Sequence, residues 1–212
     1  MSKNLNHSYS EKEERLNVLS HGFGLILSVI AFPFLILKSL GYSTFCEIIS
    51  FYIFGISLVI LYAASTFYHA SKNPSIRRKL NILDHAAIYI LIAGTYSPFC
   101  LIALPQETGW FLFGFIWLFA LTGVILKLFF TGKFDKISTG LYLIMGWLVV
   151  FYAKSLIENL TTFSLLFIAL GGLFYTVGAI FYSFEKIKYN HAIFHFFVLL
   201  GSTSHFIAVW LL

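Results

Sequence analysis

Charge is what this 212-residue chain has least of: Asp, Glu, Lys and Arg make up 11% of it, where a soluble domain carries about a quarter. So few charges exclude a fold that turns a full surface to water. The two cysteines, Cys46 and Cys100, are in no metal-like spacing, which excludes a disulfide framework and a thiolate cluster. The formal charge of +5 is not gathered on one face but scattered through short loops, so nothing points to nucleic acid. The first eighteen residues hold Lys3, Glu11, Lys12, Glu13, Glu14 and Arg15 with no apolar core, so no cleavable signal peptide is expected there.

Apolar residues are abundant, at 59%, with 25 Phe among them. They fall into seven runs at about 19–38, 45–69, 82–104, 109–130, 137–154, 162–184 and 191–211, each near the ~20 residues that cross a bilayer core. Lipid offers the backbone no hydrogen bonds, so the runs are expected to be helices. The fold class is therefore all-α: a polytopic membrane protein built as a seven-transmembrane helix bundle. Residues 1–18 read as a short N-terminal segment and 19–212 as a single transmembrane domain. Pro33 and Pro98 fall inside the first and third runs, where neighbouring helices can cover the freed carbonyl.

Twelve of the fourteen Lys and Arg residues lie in the N-terminal segment and in the second-to-third, fourth-to-fifth and sixth-to-seventh connections; Lys38 and Lys154 lie on the other side. The positive-inside rule then predicts a cytoplasmic N-terminus and an outer C-terminus, with Trp110 and Trp210 near the outer interface. Arg77-Arg78-Lys79 reads chiefly as part of that signal, and Lys127 is expected to snorkel to the interface. Gly22, Gly24, Gly171 and Gly172 read as close helix packing rather than phosphate binding.

With that topology several polar residues share one layer. His21 lies in the first turns of the first span, His69 at the end of the second, Asp84 and His85 at the start of the third, and His191 and His195 at the start of the seventh. His191-Ala-Ile-Phe-His195 puts two imidazoles on one helix face, a turn apart. Ionisable groups in a membrane span are costly and need partners. Three imidazoles with a fourth position open suit Zn2+, and His69, His191 and His195 make the best trio. Ser65 is one turn before His69 on the same face, and Asp84 could serve as a ligand or hold the water at the site. Glu14, Asn17, His21 and His85 are candidates for supporting positions around the ligands. His205, roughly 15 Å deeper, reads as an interior hydrogen-bonded residue.

Three stretches resemble a known pattern. Glu14-Arg-Leu-Asn17-Val-Leu-Ser20-His21 is similar to the first motif of the haemolysin III branch of the progestin and adipoQ receptor family. Ser65-Thr-Phe-Tyr-His69 with Leu83-Asp84-His85-Ala-Ala-Ile88 resembles the second, and His191-Ala-Ile-Phe-His195 the third. The resemblance runs from the first helix to the seventh and suits the bacterial type. It implies seven helices with a cytoplasmic N-terminus, and zinc held by His69, His191 and His195. It also implies that Asp84 holds the water and that Ser65 lies nearby. Family relatives are associated with hydrolysis of ceramide-like lipid amides and with membrane homeostasis.

The expected function is thus a zinc-dependent intramembrane hydrolase of a lipid amide or ester at the plasma membrane, with a membrane lipid as substrate or ligand. The alternative is a receptor or membrane-state sensor with a structural zinc. A cytolysin ranks third, because apolar spans with few polar residues do not make a water-lined pore.

Overall fold

Backbone groups in these apolar runs can be satisfied only along their own helices, and helices are what the chain forms. The computed structural model describes residues 9–184 and 186–212, with no strand among them; residues 1–8, and Lys3 with them, lie outside the described residues. The helices are α1 Glu11–Ser39, α2 Phe45–Ala70, α3 Pro74–Pro98, α4 Gln106–Phe130, α5 Asp135–Trp147, α6 Ala153–Asn159, α7 Thr162–Ser183 and α8 Asn190–Trp210. A π-helical turn, Phe99–Ala103, extends α3, and a 3-10 turn, Leu148–Tyr152, joins α5 to α6 in one span. Seven segments are therefore long and apolar enough to cross a membrane.

Two spans begin earlier than their apolar runs. The Ser10 hydroxyl accepts the Glu13 N–H, and Glu11, Glu13 and Glu14 occupy the first turn, where acidic groups favour the helix dipole. Helix α1 thus starts at Glu11 rather than near 19, and residues 11–18 belong to the bundle instead of a separate tail. Helix α3 starts at Pro74, eight residues before its apolar run, because Asn73 caps it and Pro74 fits its first turn.

Helix α1 packs on α2 and on α8, so the first and seventh spans meet. Helix α3 is central: 72% of its apolar window is buried, against 50% or less in every other span. Large apolar side chains such as Phe111, Phe129, Phe151 and Phe163 point outward, as a surface facing lipid requires. Lys38 lies over the Trp210 ring, so these two residues share one end of the bundle. The break in the fifth span is covered from α3: the Tyr96 hydroxyl donates to the Gly146 carbonyl at 2.8 Å and accepts the Val149 N–H at 2.7 Å. That one phenol satisfies backbone groups the 3-10 turn would leave open.

Lys127 does not snorkel. It is 2% exposed, because it continues the inward stripe Ile116, Ala120 and Gly123 of α4; helical spacing, not charge, sets its direction. Of the glycines read as packing positions, Gly24 and Gly171 are required, whereas Gly22 and Gly172 have room for a methyl group. A Cβ at Gly24 would fall 2.4 Å from the Tyr62 ring, and one at Gly171 2.2 Å from the His205 ring. Gly24→Ala is expected to lower stability by about 1–3 kcal/mol and Gly22→Ala to leave it nearly unchanged. Thermal unfolding in detergent measures both, and equal effects would refute the packing explanation.

Candidate metal centre

His191 and His195 sit in the first two turns of α8 on its inward face, and His69 ends α2; the three are 5%, 1% and 4% exposed. One nitrogen from each lies within 4.8 Å of the other two. Such a buried group can hold a metal ion. Among the described residues it is the group of this kind that the structure brings together.

The opposite ring nitrogens are held by α1 and the residue before its cap. His69 Nδ1 lies 2.7 Å from Glu14 Oε2 and 3.3 Å from the Asn17 amide nitrogen. A carboxylate can only accept, so His69 carries its hydrogen on Nδ1 and leaves Nε2 as a free lone pair. Ser20 donates its hydroxyl hydrogen to the Asn17 carbonyl, so its oxygen is free to accept from His195 Nδ1, 3.4 Å away. His191 Nδ1 is 3.1 Å from the Tyr9 hydroxyl. Burial raises the Tyr9 phenol above its usual pKa, so it stays neutral beside the rings. Inward, His69 Nε2 and His191 Nε2 face each other at 3.2 Å. A shared proton or a metal ion relieves such an opposition, and outward-bonded Nδ1 groups are the usual support of metal-binding imidazoles.

Glu14 is itself anchored. Its other oxygen pairs with Arg77, which also donates to the Tyr68 and Ser71 carbonyls at the end of α2 and lies over the Tyr68 ring. Arg77 is therefore a structural clamp between α1, α2 and α3, beyond any part in orientation.

Asp84 is 8% exposed and lies outside the group of three. It lines a cavity of about 530 Å³ together with His21, His85, His191 and His195. The cavity runs between α3, the broken fifth span, α7 and α8, and its walls are mostly aliphatic and aromatic. Ser65 is fully buried, and its hydroxyl has no hydrogen-bond partner among the described residues. His21 stacks on His195, with ring centroids 3.5 Å apart and planes 10° apart, and neither of its nitrogens has a partner among the described residues. It supports His195 by ring contact, not through a hydrogen bond. His85 donates Nδ1–H to the Asn81 carbonyl at 2.8 Å and faces the cavity. His205 bonds the Ile168 carbonyl at 3.2 Å, deep on the cavity wall.

Residues 9–206 match the family described as haemolysin-III related. The chain belongs to the haemolysin III family. Hemolysin-3 of Bacillus cereus is 46% identical over 198 residues, which cover 93% of this chain and 90% of that protein. The Hemolysin-3 homolog of Bacillus subtilis (strain 168) is 45% identical over 203 residues, covering 95% and 94%. More distantly, the human monocyte to macrophage differentiation factor is 27% identical over 208 residues, covering 93% and 83%. With seven apolar spans, this haemolysin III family member is a multi-pass bacterial membrane protein.

Sequence reasoning missed two residues of the centre in this family member. Tyr9 lies before the first helix in a polar stretch, yet its ring stacks on His191 at 4.6 Å. Its spacing from Glu13, Asn17 and His21 is the one signal that could have placed it on the same face. Arg77 was read with its basic neighbours as loop charge, and nothing local separates it from Arg78.

Proposed function

We propose that this chain is a zinc-dependent hydrolase working within the membrane on an amide or ester bond of a lipid, with a role in membrane homeostasis. The observation that carries the reading is the convergence of three buried imidazoles, two of which, His191 and His195, line an apolar cavity whose wall also bears a carboxylate. His69, His191 and His195 would hold the ion, and their donor set suits zinc. The 3.2 Å between His69 Nε2 and His191 Nε2 is close to the ~3.3 Å of two nitrogens bound tetrahedrally at ~2.0–2.1 Å. Bound there, zinc would supply Lewis acidity that activates water near neutral pH and polarises a carbonyl.

The chain's own residues supply the remaining functions. Asp84 accepts the proton of the attacking water and passes it to the leaving group. Ser65, whose buried hydroxyl is uncommitted, donates a hydrogen bond to the developing oxyanion. The cavity takes the acyl chain and keeps bulk water from it; its volume is ordinary for a ligand site. The distribution of Lys and Arg supports a cytoplasmic N-terminus, with this layer on the same side.

A receptor or sensor with a structural zinc is the second reading, favoured by Tyr9, which stacks across His191 and covers that side of the group. Asp84 standing outside the ligand group favours chemistry instead, since a fourth protein ligand would close the site. Cytolysis, which the name of the Bacillus cereus relative suggests, ranks below both because the cavity is apolar rather than a water-lined path.

The test is metal analysis of the purified protein with turnover of ceramide-type amides and lipid esters, before and after chelation. Chelation should abolish turnover and added zinc restore it. Stoichiometric zinc without turnover of either lipid class would favour the structural reading.

A further inference from the structure

We infer that the deep end of the cavity is a polar subsite, formed by His205 and Tyr175, that selects lipid chains carrying a mid-chain hydroxyl group. The inference rests on the cavity being the acyl-chain site and names the chain it prefers.

His205 lies ten residues beyond His195 on α8, roughly 15 Å along the helix axis, and both line the same cavity. Its Nε2 meets the Ile168 carbonyl at 3.2 Å. A carbonyl only accepts, so the hydrogen is on Nε2 and Nδ1 presents a lone pair. That Nδ1 is buried, with no partner among the described residues. The ring reaches this position through the missing side chain of Gly171.

Tyr175 supplies the complement. Its ring is 5.4 Å from that of His205 and also lines the cavity; its buried hydroxyl lies beside Ser202, without a hydrogen bond of full geometry among the described residues. The nearby Ser202 is already committed to Tyr62 and to the Leu199 carbonyl. The threonines nearest this end are satisfied: Thr95 donates to the Leu91 carbonyl, and Thr176 donates to the Gly172 carbonyl and accepts from Trp147. His21, the other uncommitted ring, belongs to the metal layer. The deep wall therefore carries an open acceptor on His205 and a phenol donor on the neighbouring Tyr175 ring, in apolar surroundings where open hydrogen-bonding groups are costly. A hydroxyl group is both donor and acceptor. It can donate to His205 Nδ1 while accepting from Tyr175, whereas a plain methylene chain leaves both groups unpaired.

The experiment compares ricinoleic acid with oleic acid, which differ only in the mid-chain hydroxyl, as displacers of a fluorescent fatty acid from the full-length protein in detergent. Ricinoleic acid should bind about tenfold more tightly. Tyr175→Phe, which keeps the ring, should bring the two to parity, and His205→Phe should do the same. Equal affinities in the wild type, or a preference that survives Tyr175→Phe, would overturn the subsite. Failure of both acids to displace the probe would overturn the subsite together with the acyl-chain cavity. No hydrolysis enters the readout, so a protein that binds selectively but turns nothing over refutes the hydrolase reading alone.

Discussion

Asp84→Ala is expected to lower lipid turnover by about 10²–10⁴-fold while the bound metal stays in place. The carboxylate is on the cavity wall with His191 and His195 but outside the group of three nitrogens. Its removal therefore takes away a proton acceptor without taking away a ligand. His191→Ala is the informative contrast, because it removes one of three ligands and should cost metal and turnover together. Metal content by elemental analysis, with initial rates on the same preparations, separates the two. Loss of metal in Asp84→Ala would make Asp84 a ligand and return the centre to a structural role. Retained metal with undiminished rate would remove Asp84 from the chemistry altogether.

Glu14→Gln should weaken metal binding by about 10–100-fold with all three imidazoles present. The carboxylate fixes the hydrogen of His69 on Nδ1 and so keeps Nε2 as a lone pair. An amide can present its nitrogen to the ring instead, which no longer sets the tautomer, and it loses the charge that steadies a metal-bound imidazole. Arg77 should behave as a partner of this effect. Arg77→Gln leaves Glu14 without its ion pair, and should lower metal affinity by a smaller factor than Glu14→Gln. Competition against a chromophoric chelator reads both. An affinity unchanged in Glu14→Gln would show that packing alone orients His69.

The candidate centre divides by how each residue is specified. His191 and His195 could be paired from spacing, because an i,i+4 pair shares a helix face wherever the helix goes. His69 and Asp84 could be added from the order and length of the spans, since a membrane of fixed thickness turns sequence position into depth. Arg77 and the Ser20 contact with His195 could not, and Tyr9 offered only its spacing from Glu13, Asn17 and His21. Each acts through a neighbour on another helix, and the rotation of α1 against α2 and α8 is not written in its own periodicity. His21 shows the limit from the other side: its layer could be read, but its stacking on His195 depends on how closely α1 meets α8.

The fold divides along the same line. Seven apolar stretches of membrane length, in an order that leaves few charges outside their connections, fix an all-helical membrane bundle before any contact is known; bilayer thickness and the backbone's need for hydrogen bonds permit little else. Pro98, inside the third run, left room for a kink but did not announce the π-helical turn after it, and nothing local announced the 3-10 break that Tyr96 covers. Lys127 has the composition of an interfacial residue and the position of a core one. The sequence by itself determined the number of spans, their order and the three histidines able to hold an ion. Only the tertiary structure decided which groups hold those histidines in place and that Asp84 shares a cavity wall with His191 and His195, because those depend on the angles at which helices far apart in the chain come together.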